Sequence, residues 1–94
     1  MSTLIYYFIP EDGEKENMNI FIISKDYKDI KLKDIKENFP FKGEFYFRFK
    51  FEFQGKDVWI DFSNENANLP KYKGEIIMKV TRINNNNYND NNNN

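Results

Sequence analysis

Residues 44–53 alternate almost without fault. Phe45, Phe47, Phe49, Phe51 and Phe53 are separated by Tyr46, Arg48, Lys50 and Glu52, with Glu44 in front. A strand sends successive side chains to opposite faces, so this run predicts a strand with one aromatic face inward and one polar face in water. Gln54-Gly55-Lys56 breaks the pattern, and Asp57-Val58-Trp59-Ile60-Asp61-Phe62 begins a second strand of the same hairpin. Upstream, residues 3–9 (Thr-Leu-Ile-Tyr-Tyr-Phe-Ile) are β-branched and aromatic and end at Pro10. Residues 18–24 (Met-Asn-Ile-Phe-Ile-Ile-Ser) read the same way, and a polar stretch containing Gly13 joins the two. Both are strands by composition, paired as an antiparallel hairpin.

The period then changes. Leu32, Ile35 and Phe39 fall at i, i+3 and i+7 among Lys33, Asp34, Lys36 and Glu37, which predicts a short helix with one apolar stripe. Lys33 and Glu37 are spaced to pair along its surface. Pro40 ends it and Gly43 permits the turn into the aromatic strand. Residues 63–73 are a loop, and residues 75–83 are a last strand with Ile76, Met78 and Val80 opposite Ile77, Lys79 and Thr81. The order is β-β-α-β-β-β. A lone helix covers only one face of a five-stranded sheet, so the sheet must curl around it. The expected class is α+β, a ubiquitin-like roll with a mixed sheet.

From Asn84 onward the chain is nearly all Asn, broken by Tyr88 and Asp90. Such a tract has no apolar surface to bury, so the expected organisation is one domain over residues 1–83 and a disordered Asn-rich tail over 84–94. Lys and Arg number 14 against 15 for Asp and Glu, which leaves no field of one sign to attract nucleic acid or anionic lipid. There is no Cys and no His. Thiolate metal sites, disulfides, Cys nucleophiles and the commonest general base are thereby excluded. No apolar run is long enough to span a membrane, and the start lacks a signal-peptide pattern. The expectation is a cytoplasmic protein with no membrane partner.

Candidate chemistry is thin. Ser2, Ser24, Ser63, Thr3 and Thr81 lie in no nucleophile elbow. Asp57 and Asp61 share a strand face, where paired carboxylates could do acid–base work or simply be solvated. Glu11-Asp12-Gly13-Glu14 is acidic but lacks the spacing of a calcium loop. The expectation is a non-enzyme with no cofactor, no metal and no catalytic residue. Lys42-Gly43-Glu44-Phe45-Tyr46-Phe47-Arg48-Phe49 is similar to an RNA-binding strand motif, but Glu44 stands where the first stacking ring belongs. An RNA-binding sheet is therefore a distant alternative, and no nucleic-acid partner is expected. Trp59 lies between Asp57 and Asp61, on the face that should be wet. It is either an interface anchor or a ring covered by a loop of its own chain.

Several segments resemble the DIX domain of Dishevelled, Axin and related scaffold proteins. They are Tyr6-Tyr7-Phe8, Ile30-Lys31-Leu32, Ile35-Lys36-Glu37, the run from Lys42 to Lys50, and Asp57-Val58-Trp59-Ile60-Asp61-Phe62. The most specific is Asn66-Ala67-Asn68-Leu69-Pro70, followed by Gly74-Glu75-Ile76-Ile77-Met78-Lys79-Val80. The resemblance implies the same ubiquitin-like roll and reversible head-to-tail polymerisation that builds signalling scaffolds. It places the tail on Asp57, Val58, Trp59, Ile60 and Asp61. It places the head within Met18, Asn19, Ile20, Phe21 and Ile22, the family's head Tyr corresponding to Met18, Asn19 or Ile20. The implied partner is a second copy, or another DIX-like protein for which this chain is an adaptor that does not polymerise by itself. The sequence departs from the family pattern in a longer segment between the first strand and the helix and a shorter loop before the fourth strand. Lys31 also replaces the usual Thr cap, leaving the helix start weaker or capped by Asp29.

Overall fold

The computed structural model describes residues 1–13 and 17–83. The expected Asn-rich tail, residues 84–94, lies outside the described residues. The described residues form five strands: β1 (Thr3–Phe8), β2 (Asn19–Ile23), β3 (Phe45–Phe53), β4 (Lys56–Asp61) and β5 (Ile76–Arg82). The helix α1 is Leu32–Asn38, and 3₁₀ turns occupy Pro10–Asp12 and Tyr27–Asp29. The sheet order is β2-β1-β5-β3-β4. β1 and β5 are parallel, and every other pair is antiparallel. The expected β-β-α-β-β-β order and mixed sheet are what the chain forms, and β2 and β4 are the two edges.

The alternation assigns the faces. Ile5 and Tyr7, Met78 and Val80, and Phe49 are buried on the side covered by α1, where Leu32 and Ile35 meet them. Seven residues of helix cover little of a five-stranded sheet. Phe39, just beyond the helix end, extends the cover, its ring lying 5.0 Å from Phe45, 5.1 Å from Phe47 and 5.2 Å from Tyr7. These are edge-on contacts, the geometry that aromatic quadrupoles favour. The β3–β4 turn is set by Gln54 and Gly55, with φ of 52° and 79°. Two successive positive φ values define the tight hairpin turn whose twist matches the flanking strands, and Gly55 adopts its value without strain.

The helix start differs from expectation. Asp29 belongs to the preceding 3₁₀ turn, and the residue at the cap position is Lys31. An ammonium group has no lone pair to accept a helix N–H, so Lys31 cannot perform the role of Thr. The Asp34 carboxylate instead accepts the Lys31 N–H at 2.9 Å. The loop before β5 supplies the remaining acceptors: Leu32 N–H donates to the Ala67 carbonyl (3.3 Å) and Lys33 N–H to the Glu65 carbonyl (2.9 Å). Leu69 of the same loop is buried. The Asn66-Ala67-Asn68-Leu69-Pro70 segment thus caps the helix and fills the core beside it. The helix surface ion pair joins Lys36 to Glu65 at 3.0 Å, which ties the helix to that loop rather than linking Lys33 to Glu37.

Asp34 is buried, and burial raises the pKa of a carboxylate. The Lys25 ammonium at 2.9 Å and the Lys31 N–H outweigh that and hold it below the ordinary value. The pair fastens the segment after β2 to the helix.

Candidate functional site: two open edges of one sheet

An edge strand presents a row of main-chain N–H and C=O groups with no neighbour, which is a template for another strand. Strand alternation decides what frames each edge. In β2, Ile20 lies opposite Tyr6 and Ile22 opposite Leu4, so both isoleucines are on the face away from the helix. They are 52% and 58% exposed, and Met18 and Leu4 beside them are also exposed. Phe21 points to the helix side, 5.7 Å from Tyr7 and 5.8 Å from Phe39. Asn19 is half-buried on that same side. Of the five residues expected at the head, Met18, Ile20 and Ile22 therefore offer exposed surface, while Phe21 and Asn19 shape the strand from beneath.

On β4, Val58 and Ile60 lie opposite Phe51 and Phe49, on the helix side. Asp57, Trp59 and Asp61 lie on the open face, opposite Glu52, Lys50 and Arg48. All five residues expected at the tail are thus on the second edge. The two carboxylates are about 13 Å apart along the strand, two residues of rise on either side of Trp59. They are engaged separately, Asp61 with the Arg48 guanidinium at 3.1 Å and Asp57 accepting from the Tyr72 hydroxyl at 3.0 Å. That hydrogen bond to Asp57, with burial and the carboxylate charge behind it, raises the Tyr72 pKa above the ordinary phenol value. Lys50 stands over the Tyr72 ring at 4.4 Å. A carboxylate held by a guanidinium and one held by a phenol do not share a proton or a substrate, so the pair has no acid–base geometry.

Trp59 is on the open face, as its alternation requires. It is half-buried, covered by side chains of the sheet itself rather than by a loop. Its ring meets Phe8 of β1 at 5.9 Å, with Lys79 of β5 at 4.7 Å and Lys50 of β3 at 5.9 Å. Reading the sequence missed Phe8, Lys79 and Tyr72. Phe8 carried a usable signal, since Leu4, Tyr6 and Phe8 alternate with the buried Ile5 and Tyr7. Tyr72, in a loop without a pattern, carried none.

The motif that resembles an RNA-binding strand puts its rings on the wrong side. Phe45, Phe47 and Phe49 face the helix, and Phe49 is fully buried. Bases stack on rings of an open sheet face, which here carries Tyr46, Arg48 and Lys50. Among the described residues, no group of three or more His, Cys, Asp or Glu could hold a metal ion. No helix among them is long and apolar enough to cross a membrane.

Among the described residues the sheet thus ends in two edge strands, the uncharged β2 and the charged β4. The sequence matches the DIX domain over residues 2–80, and the chain belongs to that family. No curated protein sequence matches it. Among solved structures it is similar to a SOSEKI polymerising domain in a mutant form, at 13% identity and a TM-score of 0.71, over 90% of this chain and 100% of that one. At that identity the likeness is one of fold, and the fold is the ubiquitin-like roll.

Proposed function

We propose that this chain is a protein–protein interaction module that associates with itself head to tail, the β2 edge of one copy pairing with the β4 edge of the next. The observation that carries this reading is the β2 edge. Its sequence, Asn-Ile-Phe-Ile-Ile, contains no charge and no proline. Proteins that must stay monomeric blunt such edges with lysine, proline or a bulge, or cover them with another element. Placement of β2 and β4 at opposite ends of the sheet order supports the reading further. Two different surfaces that meet cannot close a dimer, so each addition leaves a free head and a free tail and an open filament grows. The SOSEKI domain of similar fold is described as polymerising, which agrees with this use of the fold.

Each contact is small and reversible, and strength comes from repetition along the filament. A chain attached to the module is concentrated with it, which makes the assembly a scaffold. Head residues are Met18, Ile20 and Ile22, with Asn19 and Phe21 setting the strand. Tail residues are Val58, Trp59 and Ile60, with Asp57 and Asp61 at either side.

A mixing experiment tests the reading. Light scattering of the parent grows with concentration. A head variant (Ile20→Asp) and a tail variant (Val58→Asp) are each monomeric, and their mixture stops at dimers because one competent head meets one competent tail. A parent that stays monomeric at millimolar concentration refutes self-association. Binding to a different DIX domain through the same edges would then make the chain an adaptor.

A further inference from the structure

We propose that Lys79 and Phe8 are positioning residues of the tail, holding the Trp59 indole inward over the sheet so that the outer main chain of β4 stays clear for an incoming strand. The proposal rests on the head-to-tail reading and adds residues from the middle of the sheet to a surface otherwise confined to its edge.

A side chain on the open face of an edge strand has two directions in which to lean. Outward, it covers the edge. Inward, it lies over neighbouring strands. Trp59 leans inward, and far. β4 and β1 are separated by β3 and β5, a span of about 14 Å at ordinary strand spacing. The Trp59 and Phe8 rings nevertheless meet at 5.9 Å, tilted by 59°. The Lys79 ammonium lies 4.7 Å from the indole centroid and that of Lys50 lies 5.9 Å away, both within the range of cation–aromatic attraction. Each of the three strands β3, β5 and β1 thus contributes one side chain to the indole of β4.

This arrangement has a purpose that packing alone does not explain. The indole is large enough to screen several main-chain groups if it swings outward, and main-chain pairing supplies the affinity when a strand is added to an edge. An exposed tryptophan also loses rotamer freedom on binding, a cost avoided where the ring is already fixed. The clasp therefore pre-organises the tail before any partner arrives.

The test uses the single tryptophan of the chain. The tail donor carries Ile20→Asp, which disables its head. The head donor carries Val58→Asp and Trp59→Ala, so the only indole in the mixture belongs to the tail donor. Fluorescence titration gives the dissociation constant, and acrylamide quenching of the free tail donor reports how far the indole is covered. Lys79→Met keeps the length of the side chain and removes the cation. It is expected to weaken tail binding roughly three- to tenfold, the range a cation–aromatic contact commands, and to make the indole easier to quench. Lys79→Arg restores both to the parental values, which a role in overall stability would not require. Phe8→Leu acts in the same direction as Lys79→Met, and thermal unfolding checks that each variant folds.

Unchanged or tighter binding by Lys79→Met, with the parental pair associating normally, overturns the clasp and leaves the head-to-tail reading standing. A parental pair that does not associate at all overturns both.

Discussion

Changing Ile22 to Lys gives the β2 edge the protection it lacks. Ile22 lies on the open face with 58% of its surface exposed, so the substitution removes little from the core. The folded monomer should keep its stability to within about 0.5 kcal/mol, as surface substitutions usually do. In a domain of this size that moves the melting midpoint by less than about 5 °C. Association should respond differently. Full burial of an isoleucine is worth about 1.5–3 kcal/mol, and just over half of that remains for Ile22 to gain at a partner's edge, or about 0.9–1.7 kcal/mol. A lysine at the same place forfeits this gain. Its ammonium must also be desolvated or bent away from the junction, which brings the expected loss to about 2 kcal/mol. At ~1.4 kcal/mol per decade, the head–tail dissociation constant rises about thirtyfold. Sedimentation velocity across a concentration series measures the shift, with Ile22→Asp as a control of opposite charge. If both variants assemble as the parent does while melting normally, β2 is not the head and the edge argument is wrong.

Further outcomes follow from the same structure. The uncharged β2 strand and the internally paired Asp57 and Asp61 make head–tail affinity insensitive to salt: between about 50 and about 500 mM NaCl it should change by no more than about threefold, and a steep loss on titration would show that charge drives the contact. The Asp34 carboxylate has a folded pKa below its unfolded value of about 3.9, so its contribution to stability is complete above that value and is lost as pH falls through the folded pKa. Asp34→Asn should therefore lower the thermal midpoint at neutral pH by roughly 5 °C and flatten the acid side of the stability curve, as read by circular dichroism; equal acid sensitivity in parent and variant would remove Asp34 from the account.

Much of this molecule was legible along the chain. The phenylalanines of β3 and the alternation of β5 fix which side chains face each other's side of the sheet, because the strand period is two whatever the fold around it. The change of period at Leu32, Ile35 and Phe39 marks the helix for the same reason. The positions of the head and tail candidates followed from the family resemblance, and the strands that carry them are the sheet's two edges.

What the chain alone left open was everything that depends on which strands become neighbours. Periodicity is a property of one segment, whereas an edge exists only relative to the strands that pair elsewhere. Parallel pairing of β1 with β5 puts β2 and β4 at the outside, and no local pattern encodes it. The helix start shows the same division. Lys31 signals a missing cap in sequence, but the replacements come from carbonyls of Glu65 and Ala67, brought near by the path of the loop. Trp59 shows it most clearly. Its place on the open face was set by alternation, while its direction was set by Phe8, Lys79 and Lys50, residues distant in sequence that the curled sheet brings around one indole.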